Sequence, residues 1–193
     1  MTTQEIHNNS GVQSQLNTAN VEGNVYFAAK TRLATRFEKL KQEVANDNRY
    51  NDIMEDLKYY LTKLDGTKDM PTKLEDGGFS KNDIVQATRR KEKYAKKLER
   101  NKFFLSAQLI DNELFAKILM DFETYVEPLI INNATKDNIL KEVVEKIVSP
   151  ILDLINVEGE NDEILNYNAD DIFGMIYYLT GQCHINWKNY DSI

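Results

Sequence analysis

Cys183, His184 and Trp187 fall within five residues of each other in a chain that holds one Cys, one Trp and two His. A thiol beside an imidazole suggests nucleophilic catalysis or a metal site. A Cys–His nucleophile needs the two side chains facing each other, with a third group to orient the base. On an extended segment neighbouring side chains point to opposite faces. Cys183, Ile185 and Trp187 then share a buried face, and His184 and Asn186 point outward. A structural zinc site needs four ligands, yet the other His is His7, near the N-terminus. Only acids such as Asp170 and Asp171 remain to complete a donor set. Free Cys is commonly core, so Cys183 is expected inside. Gly66, Gly77 and Gly78 do not sit between a strand and a helix, so no phosphate-binding loop is implied. The residues predict no catalytic centre, no metal and no cofactor. A metal-dependent acid cluster at Asp170 and Asp171 is the one enzymatic alternative.

The second chemical feature is charge. Eight cations stand between residues 89 and 102: Arg89, Arg90, Lys91, Lys93, Lys96, Lys97, Arg100 and Lys102. Of these, Arg89, Arg90, Lys93, Lys96, Lys97 and Arg100 are the candidates for neutralising phosphates along a nucleic acid. Glu92 and Glu99 interrupt the run and suit helix pairs with Lys96 and its neighbours. The competing expectation is a helix that is solvated or docked on the protein's own acidic half. Residues 28–102 carry 19 Lys/Arg against 13 Asp/Glu, and residues 103–193 carry 5 against 16. Tyr59–Tyr60 and Tyr177–Tyr178 offer stacking platforms, but at helical spacing one of each pair belongs in the core.

Helices must position these groups. Leu33, Phe37, Leu40 and Val44 form one amphipathic stripe, ending at Asn46-Asp47-Asn48. Ile53, Leu57, Tyr60, Leu61 and Leu64 form the next, ended by Asp65-Gly66. A mobile loop with Pro71 and Gly77-Gly78 is expected to follow. Ser80 with Asp83 reads as a capping pair, and Phe79 with Ile84 as a hydrophobic staple, opening the basic helix. Its thin apolar stripe runs through Ile84, Ala87, Tyr94 and Leu98. An apolar helix follows through Leu105, Leu109, Phe115, Ile118, Leu119, Phe122 and Val126, with Pro128 expected to stop it. Thr135 caps another helix, which Ser149-Pro150 kinks or restarts. The last helix starts near Asp170 or Asp171 and is expected to close on Gly181. The fold class is all-α, a multi-helix bundle over residues 28–193.

Residues 1–27 differ, being rich in Asn, Gln, Ser and Thr and carrying only two charges, Glu5 and Glu22. One reading is a polar disordered tail. The other takes Ser10-Gly11-Val12 and Glu22–Phe27 as short extended pieces that pair with a partner. In that they resemble Gly/Asn/Gln/Val segments at the ends of bacterial signalling and defence proteins.

Hydrophobic residues make up 41% and charged residues 28%, an ordinary balance for a soluble domain. One Cys excludes an internal disulfide framework, the N-terminus has no basic-then-apolar leader, and no apolar run reaches membrane-spanning length. A cytoplasmic location without membrane contact is expected.

Gly174-Met175-Ile176-Tyr177-Tyr178-Leu179-Thr180-Gly181-Gln182-Cys183-His184-Ile185-Asn186-Trp187 resembles the GMIYFLTGxCHIxW-like ending of a C-terminal domain of bacterial ABC-three-component (ABC-3C) conflict systems. The close match covers about Asp171–Trp187. The resemblance implies a non-enzymatic adaptor or sensor in anti-phage or anti-plasmid defence, working with a small middle component and an SMC-like ABC ATPase. In larger relatives an effector domain precedes this module. Here residues 1–27 stand in that place and would dock a separate effector. Physically, Phe173, Tyr177 and Trp187 have the composition of binding hot spots. Tyr178, His184, Asn186 and Trp187 are the partner-binding candidates, although Ile176, Leu179, Cys183 and Trp187 also suit the core. Self-association is a further option. The rival to the adaptor reading is a nucleic-acid-binding or regulatory helical protein that uses the 89–102 helix.

Overall fold

The computed structural model describes residues 30–64, 66, 68–160 and 162–190. From Thr31 onward the described residues form one compact unit. The expectations for residues 1–27, strand pairing and effector docking included, lie outside the described residues, as does His7. Among the described residues the chain forms seven helices and no strand.

The first helix, α1 (Arg32–Ala45), is capped by the Thr31 hydroxyl, which accepts the Ala34 N–H. It buries Leu33, Phe37 and Leu40, as its stripe predicts, and ends at Asn46. The short α2 (Glu55–Leu61) buries Leu57. Where sequence suggests a mobile loop, the chain instead forms α3 (Met70–Asp76). The Asp69 carboxylate accepts the Thr72 N–H, Pro71 occupies the first turn, and Gly77 closes the helix. These are ordinary start and stop signals, outweighed in the sequence reading by a loop-like Pro/Gly composition. The basic helix is α4 (Lys81–Asn101), opened by the expected Ser80–Asp83 capping box.

Two prolines fail to break their helices. Leu105–Asp121 continues through a π-helical turn, Phe122–Val126, into Glu127–Ile131, and the whole is α5. Lys136–Glu142 likewise passes through Val143–Val148 into Ser149–Glu158, which together form α6. In an α-helix a proline ring collides with the carbonyl four residues back. The wide turn avoids this by shifting hydrogen bonds to the fifth residue back. Glu127 N–H reaches Phe122 O just before Pro128, and Ser149 N–H reaches Val144 O just before Pro150. Pro128 therefore does not end α5, and Pro150 is carried inside a continuous α6.

The last helix is α7 (Ala169–Gly181). Its contact with α4 is the most extensive of any helix pair, followed by α1 on α5. Gly174 permits that closeness: a Cβ there would lie 2.6 Å from the Arg90 carbonyl oxygen and 2.7 Å from Tyr94 Cβ. Ile172, Met175, Ile176 and Leu179 of α7 are buried, and each contributes about 1.5–3 kcal/mol through burial. Glu43 at the end of α1 accepts the Ser106 N–H (3.0 Å) and hydroxyl (2.7 Å), capping the start of α5. Buried Gln108 ties down residues 52–54 by donating to the Asp52 and Lys102 carbonyls and accepting the Met54 N–H.

Candidate partner-docking site

Asn168 starts α7, its side chain accepting the Asp170 and Asp171 N–H groups, while Asp171 returns a bond to the Asn168 N–H. Asp171 is 0% exposed. Lys97 sits 2.7 Å from it and also donates to the Leu165 and Asn166 carbonyls. Lys93 lies 3.6 Å away, and Arg90 pairs with Asp170 at 3.0 Å. Three of the six nucleic-acid candidates are thus turned toward this protein's own acidic helix start. The other three, Arg89, Lys96 and Arg100, are exposed and form no ion pair among the described residues. The expected Glu92–Lys96 pair does not form; Glu99 binds Lys102 instead.

The far end of α7 closes differently. Gly181 is its last residue, and Cys183, at φ +69°, takes the left-handed position expected of a glycine. His184 N–H reaches the Leu179 carbonyl and Cys183 N–H the Thr180 carbonyl, the paired bonds of a Schellman motif. Cys183 is half-buried, with its thiol against Gly66 and 3.9 Å from the Lys68 carbonyl oxygen. The turn removes the extended geometry expected at Cys183, and only Ile185 and Trp187 reach the core from this segment.

Trp187 is 3% exposed, packed against Phe79, Phe122 and Tyr177. Its indole N–H donates to the buried Thr180 hydroxyl at 3.0 Å. That burial corrects its place among the partner-binding candidates: the side chain has no face to offer. Tyr178 is half-buried, its ring against Phe115 and Tyr94. Asn186 is exposed and lines a shallow depression with Glu127, Ile131, Lys188 and Tyr190. His184, expected to point outward, is instead half-buried, its ring 4.9 Å from that of Tyr59 and 5.9 Å from that of Tyr60. Burial holds its imidazole below the usual histidine range, against an upward pull from the Tyr59 and Thr62 backbone.

Several residues at this end carry no sequence signal that singles them out. Tyr59 is 52% exposed and covers His184 on the outside. Leu64, also exposed, donates its N–H to the Gln182 carbonyl at 3.0 Å. Lys73 is buried with its ammonium on the Thr180 and Ile185 carbonyls, at the negative end of the α7 dipole. Deeper in, Asp111 is 1% exposed and accepts the Tyr94 and Tyr167 hydroxyls at 3.1 and 2.6 Å. Burial pushes its carboxyl up to about 7, although the two hydroxyls pull it down.

Among the described residues no group of three or more His, Cys, Asp or Glu is arranged to hold a metal, and no helix is long and apolar enough to cross a membrane. The arrangement offers exposed Tyr59 and Asn186 beside half-covered Tyr178 and His184, and both His184 ring nitrogens are buried. Residues 69–187 match C-terminal domain 9 of the ABC-three-component (ABC-3C) systems. The chain belongs to that family. The ABC-3C match is wider than the closing motif: it begins at Asp69, the cap of α3, and ends on Trp187. It takes in both helices of the α4–α7 pair and leaves α1 and α2 outside. No curated protein and no solved structure matches the chain.

Proposed function

We propose that this chain is a non-enzymatic adaptor or sensor of an ABC-3C assembly acting against phage or plasmids, and that it couples to an SMC-like ABC ATPase and a small middle component. Membership of the ABC-3C family supports a role within such a system. The observation that carries the docking reading is the C-terminal end of α7. There Tyr59 stays exposed against the His184 ring, exposed Leu64 is bonded to the Gln182 carbonyl, and Asn186 is exposed on the following segment. Large, rigid side chains with polar tips, set on a backbone fixed by a Schellman motif, suit a preorganised docking surface. The site is the reader, and the Trp187 plug beneath it holds the reader in shape. In this reading the protein works inside the cell, and a separate effector binds through residues 1–27.

Capture of the tagged full chain from cells expressing its genomic neighbours tests this. The ATPase or middle component is expected to stay bound through a high-salt wash, and Tyr59→Ala or Asn186→Ala should release it while leaving the fold intact by circular dichroism. Recovery of nucleic acid alone, shed by salt, would overturn the proposal.

A further inference from the structure

The α4 helix shows two rows of cations with different fates. Arg90, Lys93 and Lys97 face the start of α7. Arg89, Lys96 and Arg100 are exposed and without ion pairs among the described residues, and their spacing of seven and four residues sets them on one stripe. At a rise of 1.5 Å per residue the row spans about 16 Å. Three residues past Arg100 the stripe runs out onto Phe103, which is 37% exposed. Tyr50, 39% exposed, lies beside it, donating its N–H to the Phe103 carbonyl at 2.6 Å. Lys102 stands 5.5 Å over the Phe103 ring. Two partly exposed aromatic residues thus stand at the end of an unpaired cation row, one face of Phe103 carrying Lys102.

We infer that the outer face of α4, with Tyr50 and Phe103 at its end, is a binding site for single-stranded nucleic acid. Cations in a row follow a phosphate backbone, and exposed rings stack on unpaired bases. Duplex would use the row and leave the rings idle. Charge complementarity names the backbone, and the rings select the single strand. Glu92, which has no ion pair among the described residues, lies between Arg89 and Lys96 on the same stripe and opposes a phosphate there. This surface shares no residue with the Tyr59–His184 end, and it goes beyond the adaptor reading.

The test is fluorescence anisotropy with the full chain and a labelled oligothymidylate, compared with duplex of equal length across a salt series. Tight, salt-sensitive binding of the single strand is expected. Reversal of Arg89, Lys96 and Arg100 to Glu should weaken it more than tenfold and flatten the log–log salt slope by roughly two. Phe103→Ala and Tyr50→Ala should weaken single-strand binding severalfold and leave duplex unchanged. Glu92→Gln should tighten binding, a result that misfolding would not produce. No binding by the wild type, equal binding of both nucleic acids unaffected by the ring variants, or equally strong binding of polyglutamate would each overturn the proposal.

Discussion

The two ends of α7 solve one problem by opposite means. Each end of a helix leaves backbone groups without partners. The N-terminal end is settled by charge: Asn168 and Asp171 cap it, and Lys97, Lys93 and Arg90 arrive from α4 to neutralise the acids. The C-terminal end is settled by shape and backbone: a Schellman turn at Cys183, then Trp187 driven into the core to anchor the segment. An electrostatic cap depends on which ion partners remain, whereas a packed cap depends on volume. The first should respond to charge deletion, and the second should respond to cavities.

The largest expected effect is at the packed end. Trp187→Ala removes a fully buried indole and leaves the Thr180 hydroxyl without its donor, so stability should fall by about 3–5 kcal/mol in a denaturant titration. A loss below 1 kcal/mol would mean the segment is not anchored there. At the charged end, Lys97→Met leaves Asp171 without its closest cation, and a loss of about 2–3 kcal/mol is expected, because Lys93 and the cap bonds persist. Adding Asp171→Asn should recover part of it, since the uncompensated charge is then gone. No recovery would assign the loss to packing of the lysine stem.

Asp111 sharpens the contrast, as a buried carboxylate answered by two hydroxyls and, among the described residues, by no ion pair. Its folded value near 7 exceeds its ordinary 3.8. Between those values the folded state holds the extra proton, so this group's contribution makes stability fall as pH rises through the window, by at most about 1.4 kcal/mol per pH unit. His184 acts oppositely: its lowered value makes stability fall as pH drops below the ordinary histidine range. Asp69, Asp76 and Asp83, held low mainly by hydrogen bonds, lose their contribution only as pH falls below the usual carboxylate range. The difference between wild type and Asp111→Asn isolates the first effect: the variant should gain stability relative to wild type as pH rises toward neutrality. A constant difference would show that Asp111 does not hold a proton near pH 7.

The smallest effect is at the cap. Cys183→Gly relieves a left-handed backbone and gives up one half-buried side chain, so the net change should stay within about 1 kcal/mol. A larger loss would show that the thiol packing on Gly66 matters more than the turn.

Much of the scaffold was legible in the sequence. The Leu33–Phe37–Leu40 stripe, the Ser80–Asp83 box and the Thr135 cap are local patterns, and local patterns survive folding. The failures share a cause. Pro128 looked like a stop because single-residue rules assume an α-helix, while the π turn before it changes which carbonyl faces the ring. Gly181 looked like the cap because glycine favours positive φ, yet the chain puts Cys183 there. At the proposed docking site His184 and Asn186 came from the motif, and the family match spans the segment that carries it. Tyr59 is brought over His184 from α2 only by the tertiary fold, and the Asp111 carboxyl meets hydroxyls of Tyr94 and Tyr167 that lie 17 and 56 residues away. The basic run gave the right charge without showing which half of it the protein uses internally.

Trp187 is the chain's single tryptophan and is sealed among Phe79, Phe122 and Tyr177. The molecule therefore carries its own optical reporter at the point where the tail closes on the body. Emission from that indole should lie at the blue end of the tryptophan range and resist collisional quenchers. It should move to the red when the tail lets go, whatever the rest of the bundle is doing.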